Sequence, residues 1–490
     1  MRIGGFQRYD APGQWWLEHD NDRIMSVEPD TGQPRDEEMA GKYLLPSYID
    51  AHCHILPTGL GFLQLQLGEA STPDQVLDLV RDFEKTLPPG KWLQAMLYDQ
   101  TKFPDGQHLH RDQLDAINRE RPILLRHVNG HASIANSAAL QQAGVTRETP
   151  NPAGGEYVRD ASGELTGVLL EHAHEAVTAR VPNPTLDEMV EAILAACRSM
   201  RSYGIVAATD MMTGRYDMPL ELEAYRLASE HPDGIAMRLF LQWSRVFGPR
   251  KIDPGQLKEL TAAMDPLRCR AEGIKIFADG AIGSATAAIY GGYQGGDPAA
   301  TTSGQLIYTP ERLAEMIRVA DADGWRIAIH SIGDYSTDLV LNAYEASQDP
   351  ARHRLEHAML LSDAQIEHIQ RLGCHVTMQP EFLMRFGHAY QRQLGPERSW
   401  NLKRMRSLTD AGIELSLNSD RPIVAGDPED GIRMAVNRPA GFNPAEALTL
   451  TEAIDGYTKH AATANGDQGV MGELKPGQLA AFVTRESLPK

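Results

Sequence analysis

In Asp50-Ala51-His52-Cys53-His54 two imidazoles alternate with smaller residues. The run before them, Tyr43-Leu44-Leu45-Pro46-Ser47-Tyr48-Ile49, is apolar and reads as a buried strand. Alternate side chains of a strand share a face, so Asp50, His52 and His54 point one way and Cys53 the other. Two imidazoles at a strand end can grip one divalent metal. The pair alone is equally compatible with a strand that ends in two hydrogen-bonded histidines, so the rest of the chain must decide.

Polar residues end other apolar runs too. Gly273-Ile274-Lys275-Ile276-Phe277 carries a lysine, Ile327-Ala328-Ile329 leads to His330, Arg354-Leu355-Glu356 leads to His357, and Asn418-Ser419 leads to Asp420. Taken singly, each has a bland reading. Lys275 can snorkel, His330 can be a satisfied core histidine, and Asp420 before Arg421-Pro422 can merely start a turn. Together they make four imidazoles, one lysine and one carboxylate. Neutral imidazoles and a carboxylate suit Zn²⁺ or another divalent transition metal, as one or two ions. A bare ammonium cannot ligate a metal. Lys275 joins the set only as a lysine carbamate formed with CO₂, which can bridge two ions. The alternative is a single-ion site with a plain Lys275 that hydrogen-bonds the substrate. A metal lowers the pKa of its water to roughly 7. Asp420 can take a proton from that water and hand it to a leaving nitrogen or oxygen.

The elements that must position these residues follow one pattern: a capped helix, a glycine, then a β-branched strand. Thr309-Pro310-Glu311 opens a helix with Leu313, Met316, Ile317 and Ala320 on one face, Gly324 closes it, and the strand to His330 follows. Ser362-Asp363-Ala364-Gln365 is a capping box, and Gly373 precedes the strand Cys374–Met378. Gly204 and Gly412 precede further strands. Such repeats mean βα units and a parallel sheet. Candidate strands end near His54, Asp210, Trp243, Phe277, His330, His357, Gln379 and Ser419, and eight is the barrel number. In a barrel the active site lies at these strand ends. A doubly wound open sheet is the competitor, but no Gly-rich phosphate loop follows any strand.

The expected fold class is therefore α/β: a metal-dependent (β/α)8 TIM barrel over 46–60 and 201–464. An inserted α/β domain, 61–200, is expected to cap the barrel mouth. It holds a helix from Thr72-Pro73 to Leu87 and strands near 92–97 and 123–127. The chain ends, 1–45 and 465–490, read as a small β domain, with strand, turn and strand expected over 472–479.

The chain has 490 residues, enough for two or three domains. Its net charge of −19 argues against nucleic acid and anionic membranes as partners, and the acidity reads as solubility. The expected partner is a small-molecule substrate. No run is long and apolar enough to span a bilayer. The N-terminus lacks the apolar core of a signal peptide, and the four cysteines have no zinc-finger spacing, so a cytoplasmic protein with reduced thiols is expected. Homo-oligomer formation is left open.

These residues, in this order, resemble the amidohydrolase superfamily, specifically the amidohydrolase 3 branch that includes N-substituted formamide deformylase. Besides Asp50–His54, the similar stretches are Leu124–His131 with Asn136–Leu140, Lys275–Ser284, Ile329–Asp334, Arg354–Ala358 and Ser419–Pro422. The likeness spans about Leu44 to Leu479. It implies a barrel flanked by a β-sandwich from both chain ends, and hydrolysis of an amide-type, non-peptide C–N bond. It implies His52, His54, His330 and His357 as metal ligands, Lys275 as the bridging carbamate, and Asp420 as ligand and general base. It also implies His131, Asp99 and Gln100 as substrate-binding residues; a helix-start role for His131 in the insert is the alternative. Three positions depart from the branch. Asn129 stands where Asp is usual, Ser47 replaces a Gly, and Leu479–Phe482 lacks the usual Asp. Two other functions fit the same residues: a lactone or ester hydrolase, and a noncatalytic metal-binding barrel.

Overall fold

The computed structural model describes residues 1–20, 22–128, 130–294 and 303–489, so Asn129 lies outside the described residues. The chain forms two compact units, Met1–Thr58 with Met189–Lys490, and Gly59–Glu188.

In the larger unit eight parallel strands follow one another in chain order: β1 (Tyr48–Cys53), β2 (Ile205–Thr213), β3 (Ala236–Gln242), β4 (Cys269–Phe277), β5 (Arg326–Ser331), β6 (Arg354–His357), β7 (His375–Met378) and β8 (Leu415–Leu417). Each observed strand end lies within three residues of the expected one. The sheet closes on itself just past β8. There the Asp420 N–H donates to the His52 carbonyl at 2.9 Å, and the His54 N–H donates to the Arg421 carbonyl at 2.8 Å. The Asp50 carboxylate adds to this seam, accepting from the Ser419 N–H at 3.2 Å and its hydroxyl at 2.5 Å. The architecture is a TIM barrel with additional sheets.

Local chemistry explains the surrounding helices. The Thr309 hydroxyl accepts from the Arg312 N–H and caps the helix Pro310–Ala322, whose Leu313, Met316, Ile317 and Ala320 are buried. Ser362 and Gln365 form a capping box on the helix Asp363–Leu372, which ends at Gly373 with φ +69°. That left-handed geometry favours glycine, and the chain turns there into β7.

The first five strands of the chain and the last one make a separate six-stranded sheet. Phe482–Arg485 pairs with Tyr43–Pro46, followed by Arg2–Gln7, Gln14–His19 and Ile24–Pro29, and Glu37–Glu38 also pairs with Arg2–Gln7. The strand, turn and strand expected over 472–479 does not form. Glu473 and Gln478 close a turn through two hydrogen bonds, at 3.0 and 3.1 Å. Gly472 and Gly477, with φ +97° and +88°, leave the extended region, and an isolated bridge joins Arg23 to Leu479.

The smaller unit has its own mixed sheet, in the order Gly155–Arg159, Leu165–Glu171, Ala132–Ala135, Ile123–His127, Leu93–Tyr98 and Leu65–Gln66. The helix Pro73–Glu84 buries Val76 and Val80 in a core with Tyr98, Leu114 and Ile123. This unit ends at Glu188, short of the expected 200, because the helix Leu186–Ser202 leads into β2 and lies mostly in the larger unit. All four cysteines are free and buried. Among the described residues no helix is long and apolar enough to cross a membrane.

Candidate active site

Strand alternation aims Asp50 and His52 of β1 at the barrel interior, where both are buried. His52 Nδ1 meets Glu356 Oε2 at 2.5 Å, which leaves His52 Nε2 facing the mouth, 3.5 Å from Asp420 Oδ1. His54 follows the strand, and its Nε2 lies 3.0 Å from the same Asp420 oxygen. His357, at the end of β6, places its ring 4.8 Å from that of His52 and 4.4 Å from that of His330. His52, His357 and Asp420 each offer one ligating atom, all within 4.8 Å of one another.

His330 lies beside this group. Its Nε2 faces the Gly280 carbonyl at 2.9 Å and Asp279 Oδ1 at 3.6 Å. Lys275, near the C-terminal end of β4, is buried, and among the described residues its Nζ has no hydrogen-bond partner.

Burial dominates the electrostatics. It pulls His52 down to about 4 and, with the neighbouring His330 and His52, holds His357 well below the ordinary imidazole range. Burial likewise lowers His330. These imidazoles are neutral at pH 7, as metal ligands must be. Burial pushes Asp420 up, yet His52 and His54 outweigh it and keep the carboxylate below its usual range. Burial brings Lys275 down to about 8 against the pull of Glu356 and Asp420. Neutral ring nitrogens beside an ionised carboxylate, with a partnerless buried amine nearby, fit a divalent transition ion.

The residues expected to bind substrate lie in the smaller unit. His131 is exposed, and its Nδ1 lies 3.1 Å from Glu171 Oε2. It precedes the strand Ala132–Ala135, so it does not start a helix. Asp99 caps a short 3-10 turn through the Thr101 N–H at 3.0 Å, and the Gln100 carbonyl Oε1 lies 2.7 Å from His127 Nε2.

Four further residues support the site. Glu356 accepts from Arg354 Nε at 2.7 Å as well as from His52. Gln379 Oε1 lies 3.0 Å from His357 Nδ1 and accepts from Lys403 Nζ at 3.1 Å. Asp279 gathers the N–H groups of Ile332, Gly333 and Ala288 within 3.0 Å. Burial lowers Lys403 to about 7, opposed by Asp420. Glu356 stands inside the Arg354–Ala358 stretch, and Gln379 is a polar residue at a strand end, so both carried a signal. Lys403 carried none.

The chain belongs to the amidohydrolase family, which its residues 39–486 match. YtcJ of Bacillus subtilis (strain 168) is 31% identical over 475 residues, covering 94% of this chain and 87% of YtcJ. N-substituted formamide deformylase of Arthrobacter pascens is 28% identical over 476 residues, covering 92% of this chain and 85% of that enzyme. In fold, the chain is similar to an uncharacterized metal-dependent hydrolase from Pyrococcus furiosus, with a TM-score of 0.82 at 23% identity; 100% of this chain and 99% of that one are covered.

Proposed function

We propose that this chain is a metal-dependent hydrolase that cleaves an amide-type, non-peptide C–N bond of a small molecule. The convergence of His52, His357 and Asp420 within 4.8 Å carries the proposal. The likeness to N-substituted formamide deformylase supports the choice of bond.

His52, His54, His330, His357 and Asp420 would hold one or two divalent ions, zinc being the first candidate, with Lys275 as a carbamate between them. The bound ion supplies Lewis acidity, which makes water nucleophilic near neutral pH and polarises the scissile carbonyl. The chain's own residues do the rest. Glu356 takes the hydrogen bond of His52 Nδ1–H and so presents the Nε2 lone pair to the mouth. Asp420 accepts a proton from the attacking water and delivers it to the departing nitrogen. The water oxygen bonds to the carbonyl carbon, the C–N bond breaks, and a carboxylic acid and an amine leave. His131, Asp99 and Gln100 are proposed as substrate contacts from their motifs, so His131→Ala should change substrate KM while metal content stays the same.

Elemental analysis of the purified protein tests the reading, with about one or two divalent ions per chain expected. Reconstituted protein should then hydrolyse amides, including formamides, in preference to matched esters. No Zn, Mn, Fe, Co or Ni, and no uptake on reconstitution, would sink it.

A further inference from the structure

Gln379 stands just past β7, and its side-chain amide has three polar neighbours. Its Oε1 lies 3.0 Å from His357 Nδ1 and 3.1 Å from Lys403 Nζ, while its Nε2 donates to Asn418 Oδ1 at 2.8 Å. Gln379 and Asn418 alone set no direction. Two facing amides stay paired if both turn over and exchange oxygen for nitrogen. After such a turn Gln379 would offer an N–H to His357 Nδ1. The ring proton would then sit on Nε2, and that nitrogen would have no lone pair for a metal.

Lys403 breaks the symmetry. Its Nζ carries N–H donors in either protonation state, and of the two Gln379 atoms only the oxygen accepts. Oε1 therefore stays turned to Lys403 and also takes the His357 Nδ1–H. The Nε2 lone pair of His357 is left for the group it forms with His52 and Asp420. The Lys403 side chain is fully buried, and its Nζ lies 5.2 Å from the centre of the Phe382 ring. Its backbone holds φ +53°, a conformation that side chains other than glycine, Asn and Asp seldom adopt.

We infer that Lys403, acting through Gln379, is a positioning residue that sets the His357 tautomer and thereby the affinity of the site for metal. The inference rests on the metal-hydrolase reading above. Its test is a mutant cycle read by Zn²⁺ affinity in competition with a chelator, with a thermal melt of each metal-free variant to verify folding. Lys403→Met should weaken zinc binding roughly 10- to 100-fold, the usual cost of losing a group that orients a ligand. Gln379→Glu carries oxygen at both positions and accepts from His357 whichever way it turns. Lys403→Met should therefore weaken zinc binding far less in the Gln379→Glu background than in the wild-type background. If Lys403→Met does not fold, Lys403→Gln, which keeps a polar end able to donate or accept, takes its place in the cycle.

Three results would count against the reading, and they separate. If the wild-type chain takes up no zinc, the metal site itself is refuted. If wild type and the Lys403 variant bind zinc equally, the role of Lys403 is refuted while the site stands. If Gln379→Glu shifts affinity by the same factor in both backgrounds, Lys403 acts through charge or packing, and the tautomer assignment falls.

Discussion

Glu356 holds three groups at once, His52, Arg354 and the Thr377 hydroxyl, and all are buried with it. It accepts from His52 Nδ1 at 2.5 Å and from Arg354 Nε at 2.7 Å. Arg354 and His52 outweigh burial and keep the carboxylate well below its usual range. Glu356→Gln would leave the Arg354 guanidinium buried without a counter-charge, which costs about 3–5 kcal/mol in such pairs. Urea unfolding should show that loss, and an unchanged midpoint would mean that Arg354 finds its compensation in the Ala51 and Ala464 carbonyls it also reaches. Asp420→Asn keeps shape and loses basicity, so kcat should drop about 10²–10⁴-fold while the melting temperature holds. Activity within a few-fold of wild type would remove Asp420 from its role. Lys275→Ala should cost activity and one ion, and short carboxylic acids in the buffer should partly restore both. A variant that keeps its full metal content would refute the carbamate.

At the scale of elements, strand periodicity explains only part of the site. Arg354 and Glu356 alternate into the barrel, so His357 would by the same rule face outward. Its φ of +71° ends the regular strand and turns the ring toward His52 and His330. Asp420 does the same past β8, with φ +54°. Left-handed backbone at residues other than glycine costs of order 1–3 kcal/mol and collects where function requires it. The loop after β5 is held as tightly. Asp279 accepts from the Gly333 N–H at 2.8 Å, and a Cβ added at Gly333 would sit 1.8 Å from the Ala288 carbonyl oxygen. Neither backbone can give way without breaking the Asp279 contacts. Gly333→Ala should therefore destabilise by at least about 1–3 kcal/mol and displace His330. A thermal melt and a zinc titration check both parts; a wild-type result in each would mean the loop relaxes freely.

For the whole molecule, buried neutral histidines make stability depend on acid. His52 and His353 are both lowered from 6.5 to about 4, in each case first by burial. The unfolded chain binds protons at these positions once the pH falls below about 6.5, whereas the folded chain resists until about 4. In that window the unfolded state holds more protons, so stability falls as pH falls. His375, lowered well below its ordinary value by burial, acts in the same direction. Urea unfolding of chelator-treated protein should show a clear loss of stability between pH about 7 and about 5. A flat or rising profile would mean that these rings are protonated in the fold.

The sequence by itself determined the barrel and the residue types at its mouth. Both are local properties: caps such as Thr309 and Ser362, glycines such as Gly373, and apolar runs that end in His, Lys or Asp. It did not determine which of those polar ends meet. His52, His357 and Asp420 come together only because β1 closes against β8 and because His357 and Asp420 leave strand geometry. Nor did it reveal the partners that orient them. His52 and Glu356 are 304 residues apart, and the hydrogen-bonded link from Lys403 to His357 runs through Gln379. Strand and helix signals come from neighbours along the chain, whereas a hydrogen-bonded ligand shell comes from side chains that folding alone makes neighbours.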